Sequence, residues 1–500
     1  PLRRQRQMCN KRQGTIAVIS LMGQAAATLA VVSGYFTVFP GSTLTLPGIA
    51  GIILGIGMGV DANVITAERI KEELSKNKTL EGAVNSGFKM GLTPIIDGNV
   101  TIVIVAALLM GAFGPTDGFW GKVFNPIFFM FGPSTAGSIY SFGFTLLTSV
   151  LLNFVFGVFA TRIMIRGASR CKVFRNPVLY GGSKDGKKTY KCPNINFVGN
   201  RKKFYTFSCA LIAVVLVFCG IFGVKMDVEF KGGSMITLAY EGDADLNDLK
   251  STIGTELGKS NLTLQTGSDI SGNQTLTVTL PGSDTLTTEQ LDNLLAALNE
   301  QYPDNKFVQN EVSNVDATIG KEFLLKSVVA LVAACVLILL YVAYRFRKIG
   351  GLKAGSTAIV ALLHDMFVVF GVFVLLRIPL NGNFIAALLT ILGYSINDTV
   401  VIYDRIRENS ALYGKKQMSL AELVNLSVNQ SFARSLMTSI TTCLALGVVC
   451  VVSVIYRLDS IYSFAFPLLF GMVSGVYSTI CIATPLWVDW KNKKKAAKKA

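Results

Sequence analysis

The sequence is poor in the residues that carry most enzyme chemistry. Its 500 residues include one histidine, and its nine cysteines form no CxxC pair. These absences argue against a zinc site and against a disulfide framework. No GxxxxGK[ST] phosphate-binding loop is present, so ATP use by this chain is not expected. We therefore predict no metal, no bound cofactor and no role as an enzyme.

Charged residues are also scarce, at 16% of the chain, whereas apolar residues make up 51%. The mean hydropathy of +0.49 is typical of an integral membrane protein. Segments long and apolar enough to cross a membrane predict ten helices. They lie at about 14–39, 48–67, 92–113, 139–165, 204–224, 323–344, 354–376, 384–403, 435–455 and 461–488.

The net charge of +16 is unevenly distributed. Segment 225–321 contains 15 acidic residues and six lysines, whereas the positive charge lies in short connections and at both ends of the chain. The positive-inside rule therefore predicts cytoplasmic termini and an extracytoplasmic segment 225–321. This distribution argues against a nucleic-acid partner. The basic carboxyl-terminal tail is interpreted as an anchor beside anionic lipid, with contact to a ribosome or translocon partner as the alternative.

One apolar segment, GIAGIILGIGMGVDANVITAERIKEE at 48–73, contains an aspartate, Asp61. A carboxylate at the centre of a membrane costs about 2.5 to 3.5 kcal/mol, and such residues normally face a bundle interior or a water path. The same pattern returns in FIAALLTILGYSINDTVVIYDRIRENS at 384–410, with Asp398. Alignment of ERIKEE with DRIREN places the two acids one residue apart.

The repeat extends into the next segment of each half. GFKMGLTPIIDGNVTIVIVAALLMG follows the first copy, and SFARSLMTSITTCLALGVV follows the second. Parallel internal repeats in transporters place the working site at the interface of the two halves, near the midplane. We therefore predict a mainly α-helical membrane protein, with a duplicated transmembrane bundle and one small α+β domain.

The predicted organisation has six parts. They are a four-helix half at 1–165, a basic cytoplasmic linker at 166–203, a helix at 204–224, an extracytoplasmic α+β domain at 225–321, further helices at 322–490 and a basic tail at 491–500. In the α+β domain, VEFKGGSMITLAY and SGNQTLTVTLPG predict strands, whereas NDLKSTIGTELG and TTEQLDNLLAALNEQY predict helices. Thr287 or Thr288 is the expected N-cap of the second helix. The domain has no cysteine, histidine or serine elbow, which favours a binding or force-transmitting role.

Several of these motifs resemble one family. LTLPGIAG with GIILGIGMGVDANVITAERIKEE closely resembles the fourth transmembrane helix of SecD, and DVEFKGGSMI, LLHDMF, GYSINDTVVIYDRIREN and ARSLMTSITT resemble SecF in the same order. The chain is thus similar to the SecDF fusions of the resistance-nodulation-division superfamily. A complete SecD half would supply a helix, a large exported domain and a second helix before Arg3. We therefore expect this chain to lack the amino-terminal part of SecD.

The resemblance implies an accessory component of bacterial Sec protein export that uses proton flow to help pull secreted chains outward. It also implies a multi-pass protein of the plasma membrane. The implied partners are the Sec translocon channel and its accessory membrane proteins, an unfolded secretory polypeptide, and membrane lipid. Whether H⁺ or Na⁺ is the coupling ion stays open.

The resemblance assigns proton coupling to Asp61, Asp398 and Arg434. A carboxylate alternately paired with and freed from an arginine can load and release a proton. We predict that the two acids lie across the interface of the halves, with Arg434 close to Asp398. The alternative is a static ion pair that fixes helix register.

Other polar residues in the apolar segments are predicted to support this site. Asp97 is costly at its depth, although the glycine and asparagine after it could satisfy it locally. His364 and Asp365 form either a hydrogen-bonded structural pair or a proton relay. The remaining supporting residues, which often bond across helices in membranes, are Asn63, Asn397, Thr399 and Thr438.

The sequence leaves three other functions to consider. A small-molecule or lipid exporter of the same superfamily and a non-transporting scaffold for Sec components both fit the composition. An intramembrane aspartyl protease could use two carboxylates to activate water. That class has a glycine before one aspartate and a tyrosine before the other, whereas Val60 and Asn397 stand here. The protease is therefore disfavoured.

Overall fold

The computed structural model describes residues 2–35, 45–132, 137–171, 175–181, 194–242, 246–258, 262–268, 274–281, 286–456 and 459–497. In these residues, ten helices are long and apolar enough to cross a membrane, which confirms the predicted fold class. Three predicted stretches lie outside the described residues. They are the end of the first apolar segment at 36–39, the lysine-rich centre of the basic linker at 182–193, and the last tail residues at 498–500.

The first half contains four long helices and one short one. They are α1 (Leu2–Val32), α2 (Leu46–Ser75), α3 (Leu80–Phe113), the short α4 (Phe119–Phe128) and α5 (Gly137–Arg170). A π-helical turn, Phe154–Ala160, interrupts α5. Helix α2 begins where the Thr45 side chain accepts a hydrogen bond from the amide of Gly48, with a proline in its first turn. Thr79 caps α3 in the same way.

The next part of the chain is one long helix followed by the α+β domain. The elements are α6 (Arg201–Phe222), α7 (Val228–Lys231), β1 (Gly233–Tyr240), α8 (Leu246–Glu256), β2 (Thr263–Ser268), β3 (Gln274–Pro281), α9 (Thr288–Gln301) and β4 (Val308–Val315). The strands form an antiparallel sheet in the order β2-β3-β1-β4. Buried apolar side chains of β1 and β3 pack with those of α8 and α9, so the two helices and the sheet share one core.

Two features of this domain differ from the predicted pattern. Residues Val228–Lys231 form a helical turn rather than the start of a strand, because the Asp227 side chain accepts a hydrogen bond from the amide of Val228 and caps it. Strands β2 and β4 were not predicted. The N-cap of α9 is Thr287, which forms a capping box with Gln290.

The second half of the bundle completes the chain. Its helices are α10 (Ala317–Arg345), α11 (Gly351–Leu375), α12 (Gly382–Gln417), α13 (Leu420–Ile455) and α14, which runs through Asp459–Ser478, the π-helical turn Thr479–Ala483 and Thr484–Ala497. The most apolar window of α12 is 100% buried, compared with 11% for α6. Helix α12 therefore lies at the centre of the bundle and α6 at its edge.

The packing of the two halves follows the sequence repeat. Helix α2 packs against α13, and its repeat partner α12 packs against α3, the repeat partner of α13. If each helix is replaced by its repeat partner, the α2–α13 contact becomes the α12–α3 contact. This pseudo-two-fold arrangement brings the aspartate-bearing helices α2 and α12 to the interface of the halves.

Candidate functional site

Asp61 lies at the interface of the halves and is contacted by two helices of the second half. Asn397 of α12 donates a hydrogen bond from Nδ2 to Asp61 Oδ2 at 3.0 Å. Arg434 of α13 places Nη2 3.7 Å from Asp61 Oδ1. Oδ1 itself accepts no hydrogen bond from the described residues. The arginine is therefore near enough to attract the carboxylate without being locked to it by a hydrogen bond.

Arg434 is near enough to act on both acids, but its ion pair is formed with Asp61 and not with Asp398, to which we predicted that it lies close. Within the described chain, the ion pair of Arg434 is formed with Asp61, and Asp398 has neither an ion pair nor a hydrogen bond. The physical reason is helix geometry. Successive residues of an α-helix point about 100° apart. Asn397 thus takes the side of α12 that faces Asp61, and Asp398 is turned away from it.

Asp398 lies in a narrow crevice between α12 and α14. The crevice is lined by Tyr394 and Ser395 of its own helix and by Gly471 and Gly475 of α14. Only 6% of Asp398 is exposed, and a buried carboxylate without donors is unfavourable when charged. Asp61 and Arg434 are nonetheless close enough to influence it electrostatically. The three predicted coupling residues therefore form one electrostatic group.

The four smaller supporting residues take different positions. Asn397 bridges the halves as described, and Thr399 connects α12 to the π-helical turn of α14, with 2.8 Å between its hydroxyl and that of Thr479. Asn63 donates to the Gly59 carbonyl of its own helix at 2.9 Å. Thr438 donates to the Arg434 carbonyl at 3.3 Å. Asn397 and Thr399 thus join helices, whereas these bonds of Asn63 and Thr438 stay within one helix.

Asp97 belongs to a separate ion pair between α3 and α10. Arg345 contacts its two carboxylate oxygens, with Nε 2.7 Å from Oδ1 and Nη2 2.6 Å from Oδ2. The Tyr341 hydroxyl donates to Oδ1 at 3.2 Å. Arg345 thus compensates the charge of Asp97, and Arg345 and Tyr341 donate to Oδ1, a role that the sequence left open to the neighbouring glycine and asparagine. Sequence reasoning missed Arg345 because it follows an apolar segment in a basic run that is typical of a membrane boundary.

Asp365 is surrounded by hydroxyl donors. It accepts hydrogen bonds from Ser395 of α12 at 2.7 Å and from Ser474 and Ser478 of α14 at 2.6 and 2.7 Å. His364 Nδ1 lies 3.3 Å from the same carboxylate. The hydrogen bonds of this carboxylate join α11, α12 and α14. They favour the structural interpretation of the His364–Asp365 pair. The three serines carried no sequence signal of their own.

A ring of four charges joins α2 and α12 at the bundle end opposite the α+β domain. Arg69 and Glu72 come from ERIKEE, and their repeat equivalents Arg405 and Glu408 come from DRIREN. Arg69 pairs with Glu408 at 3.0 Å, and Arg405 pairs with Glu72 at 3.3 Å. Each arginine also pairs with the glutamate of its own helix at 3.0 Å. The charge ring therefore obeys the same pseudo-symmetry as the helices.

A cavity of about 680 Å³ opens beside the charge ring. Its lining mixes both signs of charge, because Arg69 and Arg407 stand next to Glu408 and Asp404. Both arginines are paired with acids of the second half. Among the described residues, no group of three or more histidine, cysteine, aspartate or glutamate side chains could hold a metal ion.

Known proteins identify the family to which this arrangement belongs. Residues 9–121 and 295–493 match the profile of the family described as "Protein export membrane protein SecD/SecF, C-terminal". The chain belongs to the SecD/SecF family. It is 31% identical to the protein translocase subunit SecDF of Bacillus subtilis, over 96% of this chain and 61% of that protein. It is 35% identical to the SecF subunit of Alicyclobacillus acidocaldarius, over 61% of this chain and 96% of that subunit.

Solved structures of SecDF share its fold. The crystal structure of SecDF from Thermus thermophilus, described as a translocon-associated membrane protein, matches with a TM-score of 0.77 and 30% identity. That match covers 96% of this chain and 59% of the SecDF chain. The chain thus spans about 60% of the length of the SecDF relatives that it matches. Together with its ten apolar helices, the SecD/SecF membership makes it a multi-pass membrane protein.

Proposed function

We propose that this chain is the coupling part of a Sec export subunit, which uses proton flow across the membrane to promote the outward movement of secreted polypeptides. The proposal rests on its family and on one observation in particular. Two acids on repeated helices share the interface of the halves with a single arginine, and that arginine is 3.7 Å from one acid while the other acid is unpaired.

The coupling follows from how many charges Arg434 can neutralise. With Arg434 beside Asp61, the charge of that acid is compensated, whereas a charge on Asp398 would be buried without a partner. A proton on Asp398 removes that cost. Loss of the proton would draw Arg434 toward Asp398 and weaken its contact with Asp61. Because Asp61 lies in the first half and both Arg434 and Asp398 lie in the second, this exchange would weaken the contact between the halves, and each protonation cycle would shift them relative to each other.

In this proposal, the α+β domain lies outside the membrane and both termini lie in the cytoplasm, as the charge distribution predicts. The partners are the Sec channel with its accessory membrane proteins, an unfolded secretory polypeptide and membrane lipid. Nucleic acid is not a partner. The chain acts as a transport component rather than an enzyme, and the ion gradient takes the place of any bound cofactor.

The test uses the full-length protein, reconstituted into vesicles that contain a pH-sensitive dye. Asp61→Asn and Asp398→Asn should each reduce proton entry to the level of empty vesicles and abolish gradient-dependent stimulation of precursor export. Asn keeps the volume and removes the costly charge, so insertion and folding should persist. Asp117→Asn, in an exposed turn before α4, is the matched control and should behave as the unmodified protein.

Wild-type flux and export in both buried variants would refute the proposal. A second arm replaces Na⁺ by K⁺ in all buffers at a constant pH gradient. Persistence of export stimulation identifies H⁺ as the coupling ion. Its loss, with restoration by a Na⁺ gradient, identifies Na⁺.

A further inference from the structure

The segment between α6 and the sheet is bound to the entry of the Asp398 helix. Met226 and Leu380 form a short parallel bridge, in which the amide of Asp227 donates to the Leu380 carbonyl at 2.9 Å. The amide of Leu380 donates to the Lys225 carbonyl, also at 2.9 Å. The α+β domain is therefore attached to the segment that leads directly into α12.

Glu229 extends this attachment into α12 itself. Its Oε2 accepts a hydrogen bond from the amide of Gly382, the first residue of α12, at 2.6 Å. Asn381 already caps the helix, because its side chain accepts from the amides of Asn383 and Phe384. The contact from Glu229 is thus additional to the ordinary cap and comes from the α+β domain side of the interface.

The same short segment also packs against one other membrane helix, α10. Phe230 is 2% exposed and its ring lies 5.5 Å from that of Phe323 in α10. A Cβ at Gly320 of α10 would lie 3.0 Å from the backbone of Phe230 and Gly232, so a larger residue there would require this backbone to move slightly apart. Gly232 and Gly233, with φ of +82° and +141°, then turn the chain into β1. Helix α7 is therefore packed against α10 on one side and joined directly to the sheet on the other.

The carboxylate is retained here at an energetic cost. Burial raises the pKa of Glu229, and the hydrogen bond from Gly382 opposes part of that effect. Burial also raises the pKa of Asp227, and the charge of Asp227 raises the pKa of Glu229 further. A neutral side chain would avoid the cost of burial, so the role of Glu229 is best explained by the contact that it makes.

We propose that Glu229 is a positioning residue that fixes the α+β domain to the amino-terminal end of α12, so that movement of the Asp398 helix is transmitted to the domain. This inference rests on the proposed function, because that function supplies the movement. Within the described part of the chain, Glu229 accepts from Gly382 and forms no hydrogen bond or ion pair with Asp398 or Arg434. It therefore acts on force transmission and not on proton transfer.

The test measures a distance between two spin labels in the full-length protein with its native cysteines replaced. One label is placed at Lys250→Cys, exposed on α8, and the other at Phe119→Cys, exposed on α4 in the first half, so that movement of the domain together with α12 changes the distance between them. The distance distribution of the labelled parent protein, which has Asp398, is compared with that of its Asp398→Asn variant. The asparagine mimics the protonated acid. We expect a shift between the two, and we expect Glu229→Ala to abolish the shift while proton entry into vesicles is unchanged.

Glu229→Gln is the matched variant, because its amide oxygen can still accept from Gly382, and it should preserve the shift and export stimulation. A purely stabilising role would alter the melting temperature of Glu229→Ala without removing the shift. An unchanged shift in Glu229→Ala overturns the inference and leaves the proposed function intact. Absence of any shift in the parent protein also overturns it, and the separate comparison of proton entry with Asp398 and Asp398→Asn then decides the proposed function.

Discussion

The two aspartate-bearing helices share a sequence pattern and differ in what surrounds the acid. Asp61 has a hydrogen bond from Asn397 and an arginine at 3.7 Å. Asp398 has no such partner among the described residues and lies against glycines of α14. The repeat therefore preserved the scaffold, while an offset of one residue gave the two acids different tasks. One acid is held in a polar contact across the interface, and the other is placed where its charge is unfavourable.

Among the variants that test this difference between the two acids, Asn397→Asp should have the largest effect on stability and on proton entry. It places a second carboxylate within hydrogen-bonding distance of Asp61, and two adjacent charged acids cannot both be accommodated in a buried site. We expect a destabilisation of about 3 to 5 kcal/mol if the new charge is uncompensated, and loss of proton entry. Thermal unfolding in detergent and the dye assay measure the two effects. Asn397→Ser is the control, since it removes the amide without adding charge, and equal behaviour of both variants would contradict the explanation.

The arginine can be assigned to one acid by a double-mutant cycle. Arg434→Ala should destabilise the protein by about 3 kcal/mol because it leaves a buried carboxylate without its cation. Asp61→Asn should remove most of that cost when combined with Arg434→Ala. Asp398→Asn should remove much less of it. The measured quantity is the free energy of unfolding of each single and double variant. Equal rescue by both asparagines would show that Arg434 serves the two acids alike.

The charge ring offers a comparison in which the halves should behave alike. Arg69→Glu should cost about 1 kcal/mol, as expected for a partly exposed pair, and Glu408→Arg should restore the loss when combined with it. The symmetric pair, Arg405→Glu with Glu72→Arg, should give the same values because each pair is the repeat image of the other. Denaturation of all six variants measures this. A large difference between the two sets would contradict functional symmetry at that end of the bundle.

The smallest effect is expected for a buried acid outside the membrane. Because burial raises the pKa of Glu229 above its usual 4.5, the folded state favours the protonated carboxyl. Its favourable contribution is fully present below pH 4.5 and is lost as the pH rises through the raised pKa. Glu229→Gln should therefore raise the melting temperature relative to the parent at pH 8 more than at pH 4.5. Glu289→Gln, on the exposed face of α9, is the control. A constant difference across this pH range would refute the assignment.

Much of the architecture was predictable because it depends on local pattern. Apolar length predicted the ten spanning helices found in the described residues, and the capping preference of threonine predicted the start of α9 at Thr287 or Thr288, of which Thr287 is the N-cap. Strand β4, VQNEVSNV, was missed since its polar residues carry little strand signal, and it is held in place by pairing with β1. Helix α7 was missed because its segment alternates between apolar and polar residues, which predicts a strand. The Asp227 side chain caps a helical turn there instead.

The site was predictable in its members and not in its pairing. Asp61 and Asp398 stand out as charges in apolar segments, and Arg434 came from the family resemblance. The structure brings the three into one electrostatic group, and their role in proton coupling stays a prediction. Which acid the arginine contacts depends on helix rotation within the packed bundle, which a single sequence does not reveal. The same limit concealed the pairing of Asp97 with Arg345, because residues distant in the chain meet only after folding.

The last helix of each half carries a π-helical turn, at Phe154–Ala160 and Thr479–Ala483. Such a turn accommodates an extra residue, and it is a common point at which a helix bends. In mechanical terms, these two turns are compliant joints within otherwise stiff rods. The second joint touches Thr399, next to Asp398, through Thr479. A small rotation of α12 would therefore be absorbed by bending of its neighbour, and the bundle could change shape without separating its helices.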